Sequence, residues 1–276
     1  MPFANINDVK IHFNTVGNGK PLLFIAGLGV DNRTWMFQIP TLQKYFTVIV
    51  FDNRGIGKSA SSVSPYTIKL MADDVAQLLK HLGINAAHMV GSSMGGMVSQ
   101  EFAINYPGMV DKLVLCSTSA KPRDTVKDAL SEGFKDILDK NIEDILQLKH
   151  RRPLIEKVFN YLVQQLYSDK FIRENKKLIE STVQEFTSDI SYLETFIKQT
   201  RAIRLHDTVD KLHLIRAETL VITGTNDKLI PVEASELLVE KIPKAKLVKV
   251  EGASHGFHLE QAEFFNKVLL DFLLEN

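Results

Sequence analysis

The sequence predicts an α/β fold: a mostly parallel central sheet with helices on both faces and an inserted helical lid. Three observations predict it. Short, continuously apolar runs such as Leu22–Ala26 and Phe46–Phe51 have the texture of strands covered on both faces. Such runs alternate with helical patterns before residue 120 and again after 207, the order that builds a parallel sheet. Between these halves, Lys121 to His206 carries apolar residues at helical spacing, a single glycine (Gly133) and no strand pattern. The expected division is a core of residues 1–120 and 207–276 and a helical cap of 121–206, within a chain of 276 residues that is long enough for one large domain with an insertion.

Taken in order, Val9–Val16 alternates like a half-exposed strand, and Gly17-Asn18-Gly19 reads as a hairpin turn into Leu22–Ala26. That strand ends in Gly27-Leu28-Gly29, a bend tight and open enough to present a backbone amide, with Leu28 N–H as the candidate. Trp35 to about Lys44 is a short helix, and Phe46–Phe51 leads into the loop Asp52 to Ser59. Gly57-Lys58-Ser59 mimics the end of a phosphate-binding loop, but such a loop needs glycine where Asp52 stands, and a carboxylate repels phosphate. Asp52 and Arg54 therefore read as the holders of a structural loop. Tyr66–Leu82 is an amphipathic helix stopped by Gly83.

A strand, Ala86–Val90, a helix from Met97 to about Tyr106 and a strand, Leu113–Cys116, complete the first half. In the cap, apolar residues at 137–146, 158–166, 178–186 and 192–197 predict helices in series over the sheet's carboxyl edge. Its 16 Lys+Arg against 14 Asp+Glu advertise no strongly charged substrate. Strand Thr219–Thr223, helix Val232–Lys241 opened by Pro231, strand Lys246–Val250 and a terminal helix Glu260–Leu274 close the chain.

The chemistry gathers at Gly91-Ser92-Ser93-Met94-Gly95, between a strand and a helix. A serine at so sharp a turn is lifted above the sheet edge, and glycines two before and two after it let strand and helix approach. Ser93 is the candidate nucleophile, and the Met94 amide points to where negative charge develops on an attacked carbonyl. A serine nucleophile needs a base, and the base a carboxylate to orient it. Asp227 lies four residues past one late strand and His255 five past the next, both on the sheet edge that carries Ser93. Of the eight histidines, only His255 and His258 follow a late strand, so His258 is the runner-up. Asp227 as a plain helix cap before Pro231 is the bland alternative. His255-x-x-His258-x-Glu260 lacks the spacing of a metal motif, and no metal is expected. Trp35, Met94 and the cap aromatics suggest a mostly apolar pocket, while one of Arg123, Arg151, Arg152, Arg201 or Arg204 is a candidate to meet a substrate carboxylate if one enters, and the sequence does not choose among them.

Composition narrows the partners. Lys+Arg and Asp+Glu both total 33, so no overall field favours nucleic acid or an anionic membrane. One cysteine, Cys116, excludes an internal disulfide and reads as a buried thiol. No basic-then-apolar leader opens the chain and no apolar run approaches a membrane span, so a soluble cytoplasmic protein is expected. The sequon Asn32-Arg33-Thr34 carries no meaning there.

Five motifs in order then stand out: Ala26-Gly-Leu-Gly29, Asp52-x-Arg-Gly-x-Gly57, Gly91-Ser-Ser-Met-Gly-Gly96, Gly224-x-x-Asp227-x-x-x-Pro231 and Gly252-x-x-His255. Over nearly its whole length the chain resembles the α/β-hydrolase fold superfamily, most of all its serine esterase, enol-lactonase and cofactor-free haloperoxidase-like branch. The resemblance implies a triad of Ser93, Asp227 and His255, an oxyanion hole of the Leu28 and Met94 amides, no cofactor, and a small-molecule ester or lactone as substrate. Family members usually carry a generally structural histidine where Ala26 stands. Carbon–carbon bond hydrolysis and a non-catalytic ligand receptor on the same fold are the alternatives.

Overall fold

The computed structural model describes residues 2–122, 152–188 and 190–275. Eight strands, β1 (Phe3–Ile6), β2 (Val9–Val16), β3 (Lys20–Ile25), β4 (Phe46–Phe51), β5 (Ala87–Ser92), β6 (Val110–Cys116), β7 (Glu218–Gly224) and β8 (Ala245–Val250), form one sheet in the order β1-β2-β4-β3-β5-β6-β7-β8. The pairs β1–β2 and β2–β4 are antiparallel and all others parallel. The predicted fold class is therefore observed.

Each central strand feeds two cores, because successive side chains leave opposite faces of a strand. In β3, Leu23 and Ile25 join one cluster while Leu22 and Phe24 join the other; in β4, Ile49 and Phe51 part from Val48 and Val50 in the same way. Helices α2 (Ile68–His81), α3 (Met94–Asn105) and α8 (Val232–Lys241) cover the first face. The short α1 (Ile39–Leu42) and α9 (Phe257–Glu260) and the terminal α10 (Ala262–Leu274) cover the second. That double coverage is why these strands read as unbroken apolar runs.

One expectation about the first strands needs correcting, and one strand is added to them. The Gly17-Asn18-Gly19 turn does not make a hairpin, since β4 lies between β2 and β3. Its glycines serve a close crossing: with φ of 86° at Gly17 and 131° at Gly19, a Cβ at either position would run into the carbonyls of Gln43, Tyr45 or Phe46. Strand β1, which short length and a polar neighbourhood hide in the sequence, pairs with β2 through a turn at Asn7 (φ 50°).

Between β6 and β7 come α4 (Arg152–Leu166), α5 (Asp169–Glu174), α6 (Lys176–Ser188) and α7 (Ile190–Arg204). The expected helical positions 137–146 lie outside the described residues. Phe159, Leu162, Val183, Leu193, Phe196 and Ile197 form a third core that also takes in Ile230 and Ala234 from the α/β part, with Leu28 packed against it. The last turn of α7 leaves this cluster: Ala202 and Ile203 are part of the sheet's first core. No helix among the described residues is long and apolar enough to cross a membrane.

Candidate active site

From Ala87 to Gln100 every residue is buried except Ser93. It ends β5 and opens α3 with φ 55° and ψ −120°, a left-handed conformation that costs a non-glycine residue free energy and persists only where its surroundings impose it. Those surroundings are visible. The Ser93 amide donates to Cys116 O (2.9 Å), and Ser93 O accepts from Thr118 Oγ1 (2.8 Å) and from the amides of Gly96 and Met97. A Cβ on Gly91 would strike Ser99 Oγ and the Gly95 carbonyl; one on Gly95 would strike the Ile25 carbonyl. The two glycines thus let β5, α3 and the end of β3 meet around the serine.

The other two residues arrive from the ends of β7 and β8. Their loops are stitched together, with Asn226 N donating to Ala253 O (2.9 Å) and Thr225 N to Val250 O (3.0 Å). Asp227 Oδ1 accepts from the amides of Leu229 (2.9 Å) and Ile230 (2.8 Å), and its Oδ2 meets His255 Nδ1 at 2.8 Å. The carboxylate side chain is fully covered and that of His255 is 5% exposed. Asp227 therefore caps a turn and holds an imidazole at once, one with each oxygen. With Nδ1 held, Nε2 is the nitrogen left for a reacting group.

Ser93, His255, Leu28 and Met94 line one cavity of about 150 Å³, a size that accepts a benzene-like molecule. No hydrogen bond joins Ser93 to His255 among the described residues; such bonds commonly tighten only when substrate is in place. The amides of Leu28 and Met94 are spent on no protein acceptor among the described residues, whereas Gly29 N donates to Gln199 Oε1 at 3.0 Å. The walls are apolar, with Met97, Phe159, Leu162, Val183, Phe196 and Ile230 among them. None of the described lining side chains is an arginine: Arg201 and Arg204 stand elsewhere, and Arg123 and Arg151 lie outside the described residues.

Trp35 is not part of this pocket. It is fully buried in the second sheet core, 4.8 Å from the Phe24 ring and 5.1 Å from His258; it ends a 3-10 helix, Asn32–Trp35, and is separate from α1, so the single helix expected from Trp35 to about Lys44 is two short ones. His258, the runner-up base, does reach the cavity, yet it faces no carboxylate. Its Nε2 pairs with Thr34 Oγ1 (3.2 Å), and burial, with the neighbouring His255 adding to it, pushes its pKa down to about 3. With no carboxylate beside it to stabilise its charged form, the ring is poorly placed to act as a general base. Glu260, the third member of the discarded metal reading, instead accepts from Ser254 Oγ and from both the amide and hydroxyl of Ser168 (2.8 Å each), tying the His255 loop to α5. Gly256 makes a second tie: its amide donates to Leu166 O (2.8 Å) and a Cβ there would enter the Tyr167 ring. Sequence reasoning missed both links, since the partners lie far off in the chain, 92 positions away in the case of Ser168 and Glu260.

Comparison with known proteins agrees with this fold. A profile of the α/β hydrolase fold matches residues 20–262. A relative from Azorhizobium caulinodans, named "putative carbamate hydrolase RutD", is 28% identical over 275 residues, covering 99% of this chain and 98% of that one. Among solved structures, a thermophilic esterase from Thermogutta terrifontis superposes with a TM-score of 0.83 at 25% identity, covering 99% of this chain and 98% of its own. The enol-lactonase from Burkholderia xenovorans LB400 does so with a TM-score of 0.83 at 24% identity, covering 99% and 100%, which shows likeness of fold. Sheet order, elbow and profile together lead to one statement of kinship: this chain belongs to the α/β hydrolase fold family.

Proposed function

We propose that the protein is a serine hydrolase that cleaves a carboxylic ester or lactone of a small, mostly apolar substrate through an acyl-enzyme. The observation that carries this reading is the strained, solvent-reachable Ser93 facing the same apolar cavity as a histidine already held by a buried carboxylate. Ser93 Oγ attacks the carbonyl carbon while His255 Nε2 takes its proton, and Asp227 stabilises the resulting imidazolium. The oxyanion that forms accepts from the Leu28 and Met94 amides. His255 returns the proton to the departing alkoxide, leaving an ester on Ser93. Water, deprotonated by the same nitrogen, adds to that ester and releases the acid.

The name of the Azorhizobium relative favours a second substrate class, a carbamate, whose carbonyl is open to the same attack. A panel of p-nitrophenyl esters of rising chain length, simple lactones, aryl carbamates and a dienone acid decides between ester, carbamate and carbon–carbon cleavage. The common mechanism is tested by labelling with a fluorophosphonate. We expect labelling of the wild-type protein, none of Ser93→Ala, and a loss of at least about 10³-fold in turnover in that variant. Wild-type protein that takes no label, or label that persists without Ser93, sinks the proposal.

A further inference from the structure

We infer that Gln199 is a positioning residue for the oxyanion hole, so that helix α7 is a working part of the site and not merely its cover. The inference rests on the serine-hydrolase reading above. It starts from the loop Gly27-Leu28-Gly29, whose middle amide is the proposed donor. One end of this loop is set against the nucleophile: a Cβ on Gly27 would stand 3.4 Å from Ser93 Cβ. The other end runs through Val30 and Asp31 into the single-turn 3-10 helix Asn32–Trp35, with no strand to hold it. Gly29 takes φ of 68°, and its N–H donates to Gln199 Oε1 at 3.0 Å across 170 residues of chain. Phe196, one turn earlier on the same face of α7, closes the contact, because a Cβ on Gly29 would press into its ring. Leu28 N–H therefore sits between two pins, one of them supplied by the inserted helices.

The orientation of the amide is not open to choice. A backbone N–H can only donate, so the oxygen must face Gly29, and Nε2 points away. That nitrogen is buried with no acceptor among the described residues. A fully buried side chain that accepts one hydrogen bond and leaves its own donors unpaired adds little net stability. What it does accomplish is to fix a loop. Helix α7 is itself immobilised on the α/β part: Lys198 Nζ donates to Ser62 O (2.8 Å), and Ala202 and Ile203 lie in the sheet core. The pin is thus anchored at its far end.

The test uses Gln199→Met and Gln199→Leu, which keep bulk and remove the acceptor, with Thr200→Val as a control on the same helix, where the buried hydroxyl bonds only to Phe196 O within the helix. Turnover of the best p-nitrophenyl ester and inhibition by an alkyl boronic acid, which forms a tetrahedral adduct on serine, are measured alongside thermal melting. A small displacement of one donor is expected to lower kcat about 10- to 100-fold, leave KM within about threefold, and weaken the boronic acid in parallel with kcat, while Thr200→Val keeps kcat within about twofold. Folded Gln199 variants with kcat within about threefold of wild type, a change in KM alone, or an equal fall in Thr200→Val overturns the inference while leaving the hydrolase reading in place. A wild-type protein that neither takes the fluorophosphonate nor cleaves an ester ends both.

Discussion

The described residues include two buried histidine–aspartate pairs of the same geometry, His255–Asp227 and His12–Asp52, each with Nδ1 and Oδ2 2.8 Å apart. Their surroundings differ. Asp52 also accepts from the amides of Asn32 and Lys58 and from the Asn32 side chain, so its oxygens are crowded with donors that close the loop over residues 52–59. The far nitrogen of His12 is sealed without a partner, and the Phe3 ring lies 5.3 Å away. In the other pair, the carboxylate is held by two amides, and the imidazole borders a cavity that also holds a serine. A histidine–carboxylate pair is therefore not a site by itself. What stands at the second nitrogen decides whether the pair moves protons or locks a loop.

Crossed substitutions break or sharpen this contrast, and the largest effect is expected at the open pair. Asp227→Asn should lower kcat by about 10⁴-fold, because the imidazole loses the partner that fixes its tautomer; a loss below about tenfold would mean that Asp227 only caps its turn. Asp52→Asn should do the reverse. It strands buried donors around a side chain that no longer carries charge, costing about 3 kcal/mol in urea-unfolding measurements while kcat per folded molecule stays unchanged. If that variant were stable but inactive, the division of labour between the pairs would be wrong.

Histidines that bond to no carboxylate give a smaller and pH-dependent effect. Burial holds His206 down to a pKa of about 4 and His258 down to about 3, both below the 6.5 of an unfolded chain. The unfolded state therefore binds more protons below pH 6.5, so the stability tied to these rings is complete above that pH and is lost as pH falls toward 4 and 3. Each ring contributes a slope of up to about 1.4 kcal/mol per pH unit in that window. His206→Gln should flatten the pH dependence of the urea midpoint between pH 6.5 and 4.5, and an unchanged slope would show that His206 is protonated in the fold. The smallest catalytic effect is expected at Trp35. Because its ring lies in the sheet core, Trp35→Phe should lower the melting temperature yet keep KM within about twofold; a large rise in KM would put the ring back in the pocket.

Much of the architecture was readable in the residues, as were the three side chains on which the proposed site rests. The turn at Ser93 showed itself because a strained serine needs glycine on both sides, and Asp227 and His255 because each follows an apolar strand at a short, fixed remove. Arg54 was legible as a loop holder, and the structure adds its partner: Nε and Nη2 grip the two oxygens of buried Asp74 at 2.6 and 2.7 Å. What failed was of another kind. Gly17 and Gly19 carry the same signature whether they turn a hairpin or slip past a neighbouring backbone, and only the order β2-β4-β3 tells which. Trp35 looks like a pocket aromatic until the helix that bears it is seen to turn toward Phe24.

Local pattern, then, determined on its own the alternation of strand and helix, the two-sided burial of the sheet and the sharp turn at Ser93, since each depends on neighbours within a few positions of chain. Tertiary structure decided which histidine received which carboxylate, which aromatic faced the cavity, and that Gln199 reaches Gly29. Those pairings join residues between 28 and 170 positions apart. They depend on how separate elements pack, and no short-range periodicity encodes the direction in which one packed side chain meets another.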